Sequence, residues 1–367
     1  MEVYLPIIFL LIFFSYFDLV NLKQNQKWAF LGIIFILLVF QDGFRWETGT
    51  DWVPYKNYFV QGAGYVRQRF ECGYEFLNNI VYSVSQNYSV FLIFHAVIIY
   101  SLFLKSINDY TKYPLITALC FYCTFIGYMG SNRQLIALAL CIFAFRYIVS
   151  REIWKFLFFV IVASLFHLSA VPFFIAYFLN RRIPRYVYVI AFIAAFMFIP
   201  IIVDLSNRIL SALPGHSLIL ERLRIRTIAA ANEKEIINPI LNVIFGLIKR
   251  IIIFLAVYFN LTKLKEKVPS VKLMLNIYFI SILIYIMFNN NVQTFVGRGG
   301  LYFGSLFEIF LLPSLIYIFR KKSMGRLTIF TVIVILMVMN AFRSITVDLF
   351  TPYKGLYINT GYSRKMW

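Results

Sequence analysis

Apolar residues fall in long runs separated by short polar connections, at roughly 3–20, 28–41, 88–104, 113–128, 133–148, 154–166, 168–180, 186–203, 240–260, 272–288, 300–319 and 327–342. Runs of this length, without a strict two-residue alternation, read as membrane-crossing helices rather than barrel strands, although several fall short of the ~20 residues of a perpendicular span. The pattern predicts an all-α polytopic integral membrane protein with about 12 transmembrane helices (10–14), built as a single transmembrane domain over 1–367. Two longer polar intervals interrupt the series, 42–87 and 204–238. The first ends in "YEFLNNIVYSVS", where Leu77, Ile80, Val81 and Val84 recur at i, i+3, i+4 and i+7. That is the spacing of an amphipathic helix lying in the membrane interface. The second also holds helical segments and carries Arg222, Arg224 and Arg226.

One boundary decides the orientation. His167, Ser169 and Pro172 interrupt the apolar stretch 154–180 at "FHLSAVP", which divides it into two short helices. With that division, alternate connections fall at 21–27, 105–112, 146–155, 181–185, 263–272 and 320–326, and they hold 18 of the 35 Lys and Arg residues. A single long span would move the three densest of them to the opposite side. Cytoplasmic loops carry the excess of basic residues, so the division is favoured and both chain ends lie outside. Met1–Val20 lacks the basic start and small-residue cleavage site of a secretory signal, and reads as the first span.

Composition agrees with this class. The chain is 61% apolar and 14% charged, where a soluble domain is near 25% charged. Its net charge of +19 is explained first by the cytoplasmic loops, so no nucleic acid is invoked. Cys120 and Cys123 form a CxxC inside an apolar helix without His or acidic company, and Cys72 and Cys141 are single. Neither a disulfide framework nor a zinc site follows.

The opposite, outer face is unusual. It gathers Arg45, Glu47, Asp51, Glu71, Arg133, His167, Asp204, Arg222–Arg226, Arg298 and Arg343, from well-separated connections and helix ends. Arg133 and Gln134 open "NRQLIALAL" behind a Gly-Ser-Asn turn, with Ser131 or Asn132 as the N-cap. A helix N-terminus beside a guanidinium suits an anion; an arginine anchored at the membrane interface is the other reading. Lys249 and Arg250 lie inside a span, as does Glu308, and either a polar cavity or an ion pair with Glu308 explains them. Arg298, in "GRGG", sits in a flexible turn suited to phosphate. His167 reads equally as a chemical or a packing histidine. The clustering of arginines on one face favours an anionic ligand over any single position.

Three function classes remain. A transporter needs polar groups near the midplane and commonly shows repeated halves, which this chain lacks. A structural membrane protein leaves the outer arginines unexplained. An enzyme acting on an anionic lipid-linked substrate uses them: arginines bind phosphate, acids serve as bases, and Trp46, Trp52, Tyr55 and Tyr58 can stack on sugars. No nucleotide-binding loop, kinase signature or GxSxG elbow is present, so the donor arrives activated.

The stretch "FRWETGTDWVPYKNYF" is similar to the R-x(3)-GTD-x(3)-Y block of the EpsG family of bacterial membrane proteins. "FECGYEFLNNIV", "SNRQLIALAL" and "FHLSAVPFF" resemble that family's E-x-G-Y, N-x-RQ-x-IA and FH-x-SA blocks, in the family's order over about 44–174. An arginine near 298 and a closing "TPYK" at 351–354 extend the likeness more loosely; Cys72 stands where the family often has proline. The resemblance implies a Wzy-type polysaccharide polymerase of O-antigen, capsule or exopolysaccharide pathways. It also implies a GT-C-like fold with periplasmic loop helices, in a bacterial inner membrane, with its active site facing the periplasm. The substrate would be an oligosaccharide on undecaprenyl pyrophosphate, in the lipid bilayer, delivered by a flippase and governed by a chain-length regulator. An O-antigen ligase uses the same donor and is the nearest alternative, followed by a lipid-linked oligosaccharide flippase or transporter. For such chemistry Asp51 is the first choice of base, His167 the second, with Glu71 orienting either. Arg45, Arg133, Gln134, Arg250 and Arg298 are set toward the pyrophosphate, and Tyr55 and Trp52 toward the sugar. No metal or other cofactor is expected.

Overall fold

A computed structural model of the chain describes residues 1–20, 22–62, 70–201, 239–288 and 300–362. The expected loop 204–238, with Arg222, Arg224 and Arg226, lies outside these residues apart from its surroundings, and so does Arg298. Among the described residues the regular structure is helical, with one isolated antiparallel bridge joining Arg45 and Gly355. The protein is an all-α polytopic membrane protein.

The helices are α1 Tyr4–Tyr16, α2 Gln24–Gly43, α3 Trp52–Gln61, α4 Cys72–Val84, α5 Tyr88–Tyr110, α6 Pro114–Phe125, α7 Asn132–Val149, α8 Ile153–Phe166, α9 Arg185–Met197, α10 Pro239–Phe259, α11 Leu261–Lys265, α12 Val271–Phe288, α13 Leu306–Ser314 and α14 Ser323–Ile345. Where their residues are described, the apolar runs fall on helices, that at 168–180 on the 3₁₀ helix Leu168–Leu179. Among the described residues six stretches are long and apolar enough to cross a membrane: Gln24–Gly43, Tyr88–Tyr110, Asn132–Val149, Val271–Phe288, Leu301–Phe319 and Ser323–Ile345. Five further apolar helices are shorter.

Local chemistry sets the boundaries. Pro114 opens α6 where its missing N–H is harmless, and the next two amides, of Leu115 and Ile116, donate to the Asp18 carboxylate at 2.7 and 2.9 Å. Asn87 caps α5 by accepting the Ser89 amide. The expected break after α8 occurs at His167, which is extended at φ −154° and ψ 118°. Leu168–Leu179 then continues as a 3₁₀ helix that accommodates Pro172.

Two compact units form. The first comprises Met1–Phe174, Glu266–Val268 and Leu312–Trp367, and the second Ile175–Lys265 and Pro269–Leu311. In the first, α7 packs on α8, α2 and α7 flank α5, and α6 contacts α1 and α14. In the second, α12 packs against α9, α10 and the π-helical turn Leu301–Ser305. The amide of buried Asn276 ties α12 to the Leu179 carbonyl at 2.7 Å, and the Tyr188 hydroxyl donates to the same side chain. Lys249 pairs with Glu308 at 2.6 Å, which is the ion-pair reading of that intramembrane charge. Arg250 instead lays its guanidinium 4.0 Å from the centre of the Tyr285 ring and donates to the Gly246 carbonyl.

Among its described residues the interval 42–87 holds two helices, α3 and α4. Only α4 was expected there, and its buried face is Tyr74, Asn78 and Val81, turned to α5 and α8. That packing leaves Phe76, Ile80 and Val84 exposed at i, i+4, i+8. The apolar strip suited to an interface is thus rotated from the one read off the sequence.

Candidate functional site

The site is built on a tight turn after α2. Within residues 45–51 three backbones are left-handed: Glu47 at φ 47°, Gly49 at 97° and Asp51 at 53°. Such a turn persists only if its surroundings hold it, and two segments do. The C-terminal strap takes one side: Trp46 N–H donates to the Lys354 carbonyl, Lys354 N–H to Thr48 Oγ1, and Gly49 N–H to the Leu349 carbonyl, at 2.8–2.9 Å. Lys354 Nζ closes this side on Glu47 at 2.7 Å. On the other side Thr50 N–H donates to the Met129 carbonyl at 3.0 Å, and the Thr50 and Ser131 hydroxyls meet at 3.0 Å. "TPYK" and the "GSNRQ" entrance to α7 therefore clasp the "GTD" turn between them.

Beneath the turn lies Arg45, 0% exposed. Its Nε donates to Asp42 Oδ1 at 2.6 Å, Nη1 to the Thr48 carbonyl at 2.9 Å and Nη2 to Asn132 Oδ1 at 2.8 Å. Burial pulls its pKa down, but the Asp42 carboxylate foremost, with Tyr88 and Tyr353, leaves it raised. The sequence placed Arg45 at the pyrophosphate. The structure instead gives its donors to the scaffold, because a carboxylate stands three residues before it.

Above the turn, Arg133 occupies the first turn of α7. It is half-buried, donates from Nε to the Tyr55 hydroxyl at 3.0 Å, pairs through Nη1 with Glu71 and lies 4.4 Å over the Phe70 ring. Burial pushes the Tyr55 phenol up, so it stays neutral and accepts from the guanidinium. Neither expected cap serves α7: the Ser131 hydroxyl bonds Thr50, and Asn132 turns inward to Arg45. Among the described residues the first amides of α7 are thus left without a side-chain cap. Gln134, 8% exposed, has its Nε2 without a partner among the described residues.

The remaining expected residues are placed as follows. Asp51 is exposed at the N-terminus of α3 and its carboxylate makes no ion pair among the described residues. His167 is buried, and its Nδ1 accepts the Ser169 amide at 3.2 Å, which puts the proton of the neutral ring on Nε2. It follows Phe166, whose ring packs on the aromatic cluster of α3, α4 and α5. That cluster contains Trp52, Tyr55 and Tyr58, all buried with Tyr74, Tyr88 and Phe91. The aromatics expected to stack on sugar mostly form this core, while Trp46 stays half-buried with the Lys56 ammonium 4.6 Å from its ring centre. Arg250 belongs to the second unit. Thus the structure brings Tyr55, Glu71 and Arg133 into direct contact, with Arg45 below and Asp51 at the adjoining helix start. Among the described residues no group of three or more His, Cys, Asp or Glu could hold a metal.

Three contributors were not singled out from sequence, Asp42, Lys354 and, in its actual role, Asn132, while Glu47 was named on the outer face without its partner. Asp42 had a local signal, its spacing of three from Arg45 at the end of a span. Lys354 had only its place in a loosely matched block.

The contiguity of blocks from residues 45, 71, 132 and 354 is what a shared family pattern would record, and residues 28–355 match the EpsG family. The chain belongs to the EpsG family. No curated protein and no solved structure matches it. As an EpsG-family member it is a polysaccharide-polymerase-like membrane protein. In this EpsG-family chain the matched region encloses the whole clasp, from α2 to Gly355.

Proposed function

We propose that the protein is a glycosyltransferase that joins oligosaccharide repeat units carried on undecaprenyl pyrophosphate, at the periplasmic face of a bacterial inner membrane. The observation that carries this reading is Arg133, held by Tyr55 and Glu71 at a helix start without a side-chain cap, beside the exposed Asp51. An acceptor sugar hydroxyl attacks C1 of the lipid-linked chain, the bond from C1 to the phosphate oxygen breaks, and pyrophosphate leaves with that electron pair. Arg133 and the α7 amides stabilise the developing charge, and one such donor is worth about 3–4 kcal/mol. Asp51 takes the hydroxyl proton; for His167, the alternative base, to do so its Nδ1 must first give up the Ser169 amide. Glu71 holds Arg133 in place until phosphate oxygens engage its other donors. Arg250 and Arg298 remain candidates for the leaving group by their chemistry. No metal or other cofactor enters, and a flippase and a chain-length regulator act alongside.

The purified protein should convert lipid-linked repeat units in detergent into a ladder of longer chains. Asp51→Asn is expected to lower kcat by about 10²–10⁴ with little change in KM, the range for loss of a general base. A normal ladder from Asp51→Asn removes Asp51 from the role. Transfer to lipid A core without chain growth would make the protein a ligase, and movement of substrate without coupling would make it a transporter.

Orientation has a direct probe. Cys72 is exposed at the start of α4, one residue from Glu71, while Cys120, Cys123 and Cys141 are buried. A membrane-impermeant maleimide admitted to the periplasm of intact cells should label the protein, and Cys72→Ser should abolish the label. Labelling only after the inner membrane is opened would place the site on the cytoplasmic side.

A further inference from the structure

We propose that Asp42 is a positioning residue for this chemistry: through Arg45 it fixes the turn that carries Asp51 against the helix start that carries Arg133. The proposal rests on the glycosyltransferase reading. Arg45 spends its donors on three separate elements, namely the end of α2 at Asp42, the turn at Thr48 and the first residue of α7 at Asn132. Asp42 is 1% exposed, and its other oxygen takes the Tyr100 hydroxyl of α5 at 3.4 Å. The carboxylate thus sets which way the guanidinium fork points, and the fork sets where Asn132 sits.

Asn132 passes that placement on. With Oδ1 given to Arg45, its Nδ2 faces the hydroxyls of Tyr74 and Tyr88 at 3.4 Å. Tyr74 lies on α4 three residues after Glu71, the carboxylate that holds Arg133. The Asn132 carbonyl meets a ring nitrogen of His95 at 2.9 Å. One residue further on is Arg133 itself. Both ends of the Arg133–Glu71 pair are therefore tied back to the same buried amide.

A buried ion pair is poor evidence for stability, because apolar residues of similar volume commonly hold a fold as well. It does specify geometry. Here the partners it joins are the two segments whose spacing matters for the reaction, and a 1 Å misplacement can cost on the order of 10²-fold in rate.

The test is a double-mutant cycle on purified protein, with lipid-linked repeat units as substrate. Asp42→Asn, shown to be folded by its elution profile and thermal midpoint, should lower kcat roughly 30-fold with KM within about threefold. In an Arg133→Lys background, where the positioned group is already impaired, the same substitution should cost about threefold or less. Equal losses in the two backgrounds overturn the positioning role, since a merely structural defect acts independently of Arg133. An unchanged kcat for Asp42→Asn overturns it as well. Should Asp42→Asn fail to fold, Arg45→Lys keeps the buried charge but lacks the fork that reaches Asn132, and it carries the same expectation and the same refutation. Full activity of both Arg133→Lys and Arg133→Ala overturns the reading of the site itself, a result distinct from equal losses in the cycle.

Discussion

Gly130→Ala should destabilise the protein by roughly 3–5 kcal/mol and remove its activity, and Gly49→Ala should behave alike. Gly130 adopts φ 102° and Gly49 φ 97°, conformations that cost a residue with a Cβ on the order of 1–3 kcal/mol. Space adds to this. A Cβ on Gly130 would stand 2.1 Å from the Thr50 carbonyl oxygen, and one on Gly49 would stand 2.3 Å from that of Met129. Both obstacles are backbone and cannot swing aside. Relief would pull the "GTD" turn off the α7 entrance, breaking the bond from Thr50 N–H to the Met129 carbonyl and the contact between the Thr50 and Ser131 hydroxyls. Gly62 and Gly32 supply controls. Gly62 has φ 71° and ψ −170°, a region kept almost wholly to glycine, but nothing lies near its missing Cβ, so Gly62→Ala should cost only the backbone strain of about 1–3 kcal/mol. Gly32 lies within α2 with nothing near its missing Cβ, and Gly32→Ala should be neutral or stabilising by up to about 1 kcal/mol. Thermal unfolding of the four variants in one detergent orders them. A wild-type midpoint for Gly130→Ala would show that the clasp is not as tight as described.

The helices were legible because bilayer-length apolar runs leave little choice of secondary structure. Even the break at His167 could be placed, since charge in the flanking loops discriminated between one helix and two. Helix α3 was missed although its signal was present. Trp52, Tyr55, Tyr58 and Phe59 fall at i, i+3, i+6 and i+7, one face of a helix, yet their chemistry drew them toward a ligand instead of a core. Periodicity should have outweighed residue type.

The candidate site was legible in which residues it gathers more than in how they pair. Arg133, Glu71, Tyr55 and Asp51 were all named, but sequence holds no measure of which acid meets which cation when 62 positions separate Glu71 from Arg133. The partners of Arg45 were hidden for a related reason. A charge just past a span reads as reaching outward, and only the Asn132 side chain, 87 positions away, completes the buried cage that turns it inward. Lys354 is more remote still, paired to Glu47 across 307 positions. The polar atoms that close such a site are supplied by the fold, and their spacing in the chain is arbitrary.

Arg133→Ala should reduce kcat for polymerisation about 10²–10³-fold while the protein still inserts and folds. Its guanidinium is partly exposed, at 24%, and carries one carboxylate and one phenol, so its removal leaves Glu71, itself 26% exposed, able to find water. Stability should therefore change by about 1 kcal/mol or less. On the proposed reaction the kinetic loss is larger, since the group would be needed most when a leaving pyrophosphate gathers charge. Arg133→Lys should recover only part of the rate: an ammonium keeps the charge but cannot give two parallel N–H groups to a phosphate while holding Tyr55. Glu71→Gln makes the opposite change. It leaves the cation in place and releases its partner, so substrate should bind no more weakly, while kcat falls about tenfold as the guanidinium loses its fixed orientation. Arg133→Ala with a wild-type ladder would end the case for this arginine. Equal losses for Arg133→Ala and Glu71→Gln, with KM raised in both, would instead make the pair a recognition element for the uncharged sugar.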